Sequence, residues 1–169
     1  LDSMVDRGYE WTVEHLLSTD NPDTMPVDLM YRYNPENSGM ISHLGGGTRW
    51  MYRMISTDVP LVEKMALFWH GIFATGYSKL CNGKPLDDQI RMFGDHGLGN
   101  FRTLLLNLSR DPAMMVWLDN YENHKGAINE NYGRELLELF SMGVGNYSEH
   151  DIKEAARAFT GWTIGNTDY

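Results

Sequence analysis

Three carboxylates and an arginine crowd one short segment of this chain, Asn129-Glu130-Asn131-Tyr132-Gly133-Arg134-Glu135-Leu136-Leu137-Glu138-Leu139-Phe140. Carboxylates on a rigid helix can bind metals, shuttle protons or hold basic partners, and they can also be ordinary solvated side chains. Tyr132, Leu136, Leu139 and Phe140 form the apolar face of such a helix. Glu130, Arg134 and Glu138 fall opposite at i, i+4 and i+8, where the arginine can pair with either acid. Glu135 differs, because the helical wheel puts it at the edge of the apolar face, between Leu139 and Met142. It is therefore the preferred functional carboxylate, partly buried and expected to pair with Arg157 or His70. Asn129 and Asn131, at the helix N-terminus, would orient a bound group.

A second pair stands in Pro60-Leu61-Val62-Glu63-Lys64-Met65-Ala66-Leu67-Phe68-Trp69-His70. On a helix over residues 61–73, Glu63 and His70 fall within about 20° of one another at roughly 100° per residue. As functional groups, His70 is a metal ligand or general base and Glu63 lies close by. As structural groups, His70 is a core histidine bonded to a backbone carbonyl and Glu63 a first-turn acid favoured by the helix dipole. Either charge, buried without a partner, would cost several kcal/mol.

Other arrangements carry less. A dinuclear metal bundle needs Glu-x-x-His on paired helices, and a zinc protease needs His-Glu-x-x-His; neither occurs. Asp119, Asn123 and Glu130 echo a calcium loop, but Tyr121 replaces an oxygen ligand and His124 stands where the sharp-turn glycine belongs. A looser Asp/Asn calcium loop is the form this reading can take. Gly-x-Ser-x-Gly is missing, and Cys81 has no second cysteine to pair with. Gly45-Gly46-Gly47 follows no strand, so it reads as a loop and not a phosphate cradle. Trp50, Trp69, Trp117 and Trp162 read as packing groups.

The totals narrow the classes. A formal charge of -9 argues against a nucleic-acid partner, which needs a cationic face. No apolar run approaches the ~20 residues of a membrane span. The 169 residues suffice for one domain. The chain begins at Leu1 and not Met, so the lack of a signal peptide says little about targeting.

Helical periodicity must position these groups. An amphipathic helix is expected over residues 6–18 through Tyr9, Val13, Leu16 and Leu17. Asn21-Pro22, Met25-Pro26 and Asn34-Pro35 punctuate a connector, and a helix over 48–56 follows the triple glycine. Thr57 or Asp58 should cap the 61–73 helix, expected to be central and buried because it is apolar nearly all round. Helices over 87–96, 100–110 (capped by Asn100) and 112–118 (capped by Asp111) come next, then a polar loop over 119–128. Asn129 opens the carboxylate helix and Gly143 ends it. Ser148 with Asp151 starts the last helix, to residue 160. The expectation is an all-α, irregular multi-helix bundle forming one domain over residues 1–169.

Four ordered motifs complete the reading. They are residues 60–70, Ser109-Arg110-Asp111-Pro112-Ala113-Met114, residues 129–140, and Glu154-Ala155-Ala156-Arg157-Ala158-Phe159-Thr160-Gly161-Trp162-Thr163. Together they resemble the bacterial domain-of-unknown-function family numbered eighteen hundred, from about Gly8 to Thr163. The resemblance implies a helical protein, commonly exported, and brings no established reaction, substrate or cofactor. Many relatives carry a second histidine two residues after the Trp-His pair, where this chain has Ile72. Relatives also continue past the Gly-Trp-Thr motif, so the chain resembles the N-terminal part of a larger helical domain. Two functions follow. One is a ligand, metal or acid–base pocket of His70, Glu63, Glu135, Arg134 and Arg157, taking a divalent metal and a small-molecule partner. The other is a structural or interaction module in which the same charges are buried helix-fixing pairs.

Overall fold

The structure, a computed structural model, describes residues 2–19 and 43–165, with residues 43–45 described by backbone alone. Nine α-helices occur among the described residues. They are α1 (Asp2–Leu17), α2 (His43–Ser56), α3 (Pro60–Ile72), α4 (Tyr77–Leu80), α5 (Gly83–His96), α6 (Phe101–Arg110), α7 (Pro112–Trp117), α8 (Asn131–Glu138) and α9 (Glu149–Ala158). A 3-10 turn covers Asn120–Glu122. No strand occurs among the described residues; one isolated bridge joins His124 and Ala127. The all-α expectation holds.

Polar caps fix several helix starts. Asn100 Oδ1 accepts from Arg102 N at 3.0 Å and Thr103 N at 3.3 Å, which opens α6. Asp111 accepts from Met114 N at 2.8 Å, with Pro112 in the first turn of α7. Ser148 and Asp151 close a reciprocal capping box on α9. Each such cap contributes about 1 kcal/mol. Gly143 does not end the carboxylate helix as expected: α8 stops at Glu138 with Leu139 as its C-cap, and Gly143, at φ 80, lies in the turns beyond it.

Several expectations fail locally. The triple glycine is not a loop: α2 begins at His43 and runs through it. Neither Thr57 nor Asp58 caps α3. Val59 occupies that place with no side-chain cap, while Thr57 Oγ1 accepts from Val59 N at 3.0 Å just outside the helix. Asn82 opens α5 one turn earlier than its apolar pattern suggests, accepting from Lys84 N at 3.0 Å. The expected burial of α3 is also wrong. Glu63 and Ala66 are buried, while Leu67 is 49% and Phe68 52% exposed. On α1 no residue is buried, and Gly8 (φ 83, ψ 178) kinks it. The connector expected at Asn21-Pro22, Met25-Pro26 and Asn34-Pro35 lies outside the described residues.

α3 packs on α5, and α8 on α9. Between these pairs sits the main apolar cluster: Phe73, Phe93, Leu108, Met114, Tyr132 and Phe140. Phe73 meets Phe140 edge-on at 5.1 Å and Trp69 face-on at 5.4 Å. Burying Phe73 and Phe93 fully contributes about 2–3 kcal/mol each. Trp69 donates its indole N–H to Gly97 O at 2.7 Å, tying α3 to the turn after α5.

Candidate functional site

The shared stripe of Glu63 and His70 is real, and an indole links the two. Glu63 is 3% exposed, and its carboxylate accepts from Trp50 Nε1 at 3.1 Å, from Arg53 Nε at 2.9 Å and from a second Arg53 nitrogen. Trp50 and Arg53 lie one turn apart on α2, so both reach α3 from the same face. The Trp50 ring also meets the His70 ring edge-on at 5.4 Å. His70 Nδ1 is buried without a hydrogen-bond partner among the described residues, contrary to the carbonyl-bonded expectation. Burial pushes the His70 pKa below its usual 6.5, so the ring is neutral near pH 7. Arg53 and Glu63 line one side of a cleft of about 370 Å³, with Val59, Val62, Asp95 and Leu98.

The other candidates lie elsewhere, and no hydrogen bond or ion pair among the described residues joins them to His70 or Glu63. Arg134 makes a two-pronged pair with Glu149 on α9, at 3.0 and 2.9 Å, and stands 3.6 Å from Glu130. That pairing holds the Glu149 carboxyl below its ordinary pKa. Arg157 does not pair with Glu135: its Nη1 donates to both oxygens of Glu154, at 2.7 and 2.8 Å. Glu135 is half-buried with no polar partner among the described residues. Its pKa is raised, first by burial and then by Glu138. Asn129 Oδ1 accepts from Asn131 N at 3.0 Å, so Asn129 steadies its own helix start while Asn131 is exposed.

The three calcium candidates are each engaged with protein. Asp119 lies 2.6 Å from Lys79 Nζ, and Glu130 faces Arg134. Asn123 is fully buried; its Nδ2 donates to Ala156 O at 2.8 Å and its Oδ1 accepts from Asn129 N at 3.1 Å. Among the described residues no group of three or more His, Cys, Asp or Glu is placed to hold a metal ion. No helix there is long and apolar enough to cross a membrane.

One buried polar chain was absent from the sequence expectations. Gln89 is fully buried on α5; Thr75 Oγ1 donates to its Oε1 at 2.6 Å, and its Nε2 donates to Asp111 Oδ2 at 2.6 Å. The signal for Gln89 was its place among Leu86, Ile90 and Phe93 on the apolar stripe of α5. Burial raises the Asp111 pKa to about 6, against opposing bonds from Met114 N, Gln89 and Ala113 N, with Asp88 raising it further. Beside this chain, Tyr132 OH and Ser109 Oγ are 2.8 Å apart, and burial lifts the phenol to about 12.

The Asp111 shift has a definite sign. The folded state binds its proton more tightly than the unfolded one, so the stabilisation is complete below about pH 4 and is lost as pH rises through about 6. A shift from 3.8 to about 6 corresponds to roughly 3 kcal/mol at most. Asp111→Asn keeps the cap acceptor and removes the titration. Relative to this variant, the unmodified protein should lose up to about 3 kcal/mol of unfolding free energy between about pH 4 and 7. Urea denaturation at the two pH values measures it, and parallel curves would refute the buried-acid assignment.

The arrangement is that of an all-α protein in which one buried carboxylate, Glu63, binds a neighbouring helix. A family model described as "Protein of unknown function (DUF1800)" matches residues 2–169, so the chain belongs to that family, as its four motifs implied. No curated protein and no solved structure matches the chain.

Proposed function

We propose that this chain is a structural and interaction module whose inward charges lock helices in place. The carrying observation is the saturated Glu63 carboxylate, which takes donors from Trp50 and Arg53 and sits almost wholly out of water. A carboxylate so engaged has few acceptor positions left for a metal. At the surface, Arg134 joins α8 to α9 through Glu149, an exposed pair that contributes far less than the buried clamp. Exposed apolar side chains on α1, α2 and α3, among them Tyr9, Ile55 and Phe68, supply surface for a protein partner. The acidic balance argues against nucleic acid, and export follows the family resemblance.

Comparing Glu63→Gln with Glu135→Gln tests the reading. Glu135 makes no side-chain hydrogen bond or ion pair among the described residues, and burial and Glu138 outweigh the attraction of Arg134, so Glu135→Gln should unfold at the same temperature or slightly higher. Glu63→Gln should unfold much earlier. If both melt with the unmodified protein, the architectural reading fails.

His70 supports a second reading. A neutral imidazole with a buried, unpartnered nitrogen suits acid–base work or a divalent metal. Elemental analysis decides between them: a stoichiometric transition metal, lost in His70→Ala, would establish the metal site.

A further inference from the structure

A different cleft, of about 660 Å³, lies where α9 faces the turn closed by His124 and Ala127. Its lining includes Lys125, Gly126, Ile128, Glu154, Arg157 and Thr160, and it shares no lining residue with the Glu63 cleft. That volume falls within the range of small-molecule sites, about 300–1,000 Å³.

The walls are held by specific bonds. His124 N donates to Ala127 O at 3.2 Å and Ala127 N to His124 O at 2.9 Å, leaving Lys125 and Gly126 as the turn's two corners. Gly126, at φ 92, supplies the positive angle that the second corner of a type II turn requires. Buried Asn123 pins the turn to α9 through Ala156 O, and its own carbonyl accepts from Gly161 N at 2.9 Å. Lys125 is thus carried by a turn fixed to the helix opposite, so its backbone has little ordering entropy to lose on binding.

The charge here runs against the chain as a whole. Two cations and one acid line the cleft of a protein whose net charge is -9. Lys125 has no polar partner among the described residues. Arg157 commits only Nη1 to Glu154, so Nε and Nη2 have no acceptor there. The Gly126 N–H likewise has none. Ile128 and Ala158 add apolar surface. We propose that this cleft binds a small organic anion, its carboxylate or phosphate group between Lys125 and Arg157 and its carbon portion against Ile128 and Ala158. Glu154 acts as an internal competitor for Arg157, and removing its charge should tighten binding.

Amide NMR spectra of labelled protein, titrated with inorganic phosphate and separately with butyrate, test the site. Sodium chloride at matched ionic strength is the control. Saturable shifts centred on Lys125, Gly126, Ala127 and Arg157 are expected with at least one anion. Preference for phosphate assigns a phosphoryl ligand, and preference for butyrate a carboxylate. Lys125→Gln and Arg157→Gln should each weaken binding about tenfold, Arg157→Lys less, and Glu154→Gln should strengthen it about threefold. Both cations are exposed, so the variants' spectra should otherwise match the unmodified protein's. Equal shifts with sodium chloride, no saturation with either anion, or variants that bind as before would overturn the proposal. None of these outcomes bears on the Glu63 clamp.

Discussion

Glu63→Gln should lower the unfolding free energy by about 3 kcal/mol and the thermal midpoint by roughly 6–12 °C. The substitution keeps the side chain's size and removes its charge, so cavity formation is not the cause. Arg53, with its side chain only 18% exposed, loses the carboxylate that its Nε and a second nitrogen share. Exchanging a charged acceptor for a neutral amide at a mostly buried guanidinium costs more than an exposed ion pair would contribute. One amide oxygen must then serve Trp50 Nε1 and Arg53, where two carboxylate oxygens served before. The companion measurement is Glu63→Leu combined with Arg53→Leu. Apolar replacement of both partners should cost less than the sum of the single changes, because the two side chains share one interaction and each single change already removes it. Circular dichroism melts of all variants check both statements. A Glu63→Gln midpoint within about 1 °C of the unmodified protein would mean the clamp contributes nothing.

How far the sequence revealed this clamp follows from what periodicity can carry. The wheel put Glu63 and His70 on one stripe because both belong to one helix, where spacing fixes direction. It could not supply Trp50 and Arg53, which reach across from another helix, since tertiary pairing leaves no local trace. Asn100, Asp111 and Ser148 were legible as caps because a cap is a bond between residues three apart at most. Asn82 was missed because the apolar pattern of α5 begins a turn after its helix does. The glycines at 45–47 misled, since a weak helix former can be carried in a helix that tertiary contacts hold. Glu135 was placed rightly at a half-buried boundary but wrongly paired. Arg157 finds Glu154 three residues away on its own helix, a closer partner than an acid on another element. The cleft at Lys125 escaped because its walls come from a turn and a helix separated in sequence.

Gly133→Ala should cost about 2 kcal/mol net and lower the midpoint by roughly 4–8 °C. A methyl at Gly133 would lie 2.9 Å from Ala156 N, and 3.2 Å from both Ala156 Cα and Ile152 O. Those atoms are the backbone of α9, so no rotamer change relieves the clash. α8 must move instead, and it is held on either side of Gly133. Tyr132 bonds Ser109 at 2.8 Å and meets the Phe159 ring at 5.0 Å, while Arg134 grips Glu149. Separating the helices by the needed few tenths of an ångström would loosen all three contacts, an overpacking cost of up to about 3 kcal/mol. Better helix propensity for alanine returns up to about 1 kcal/mol, which leaves the net figure. Gly71→Ala supplies the opposite sign from the same chemistry. Gly71 is also helical, but a methyl there meets nothing within 4 Å, so about 0.5 kcal/mol of stabilisation is expected. If urea unfolding gave both variants the same sign, close approach of α8 to α9 would not be what selects glycine at position 133.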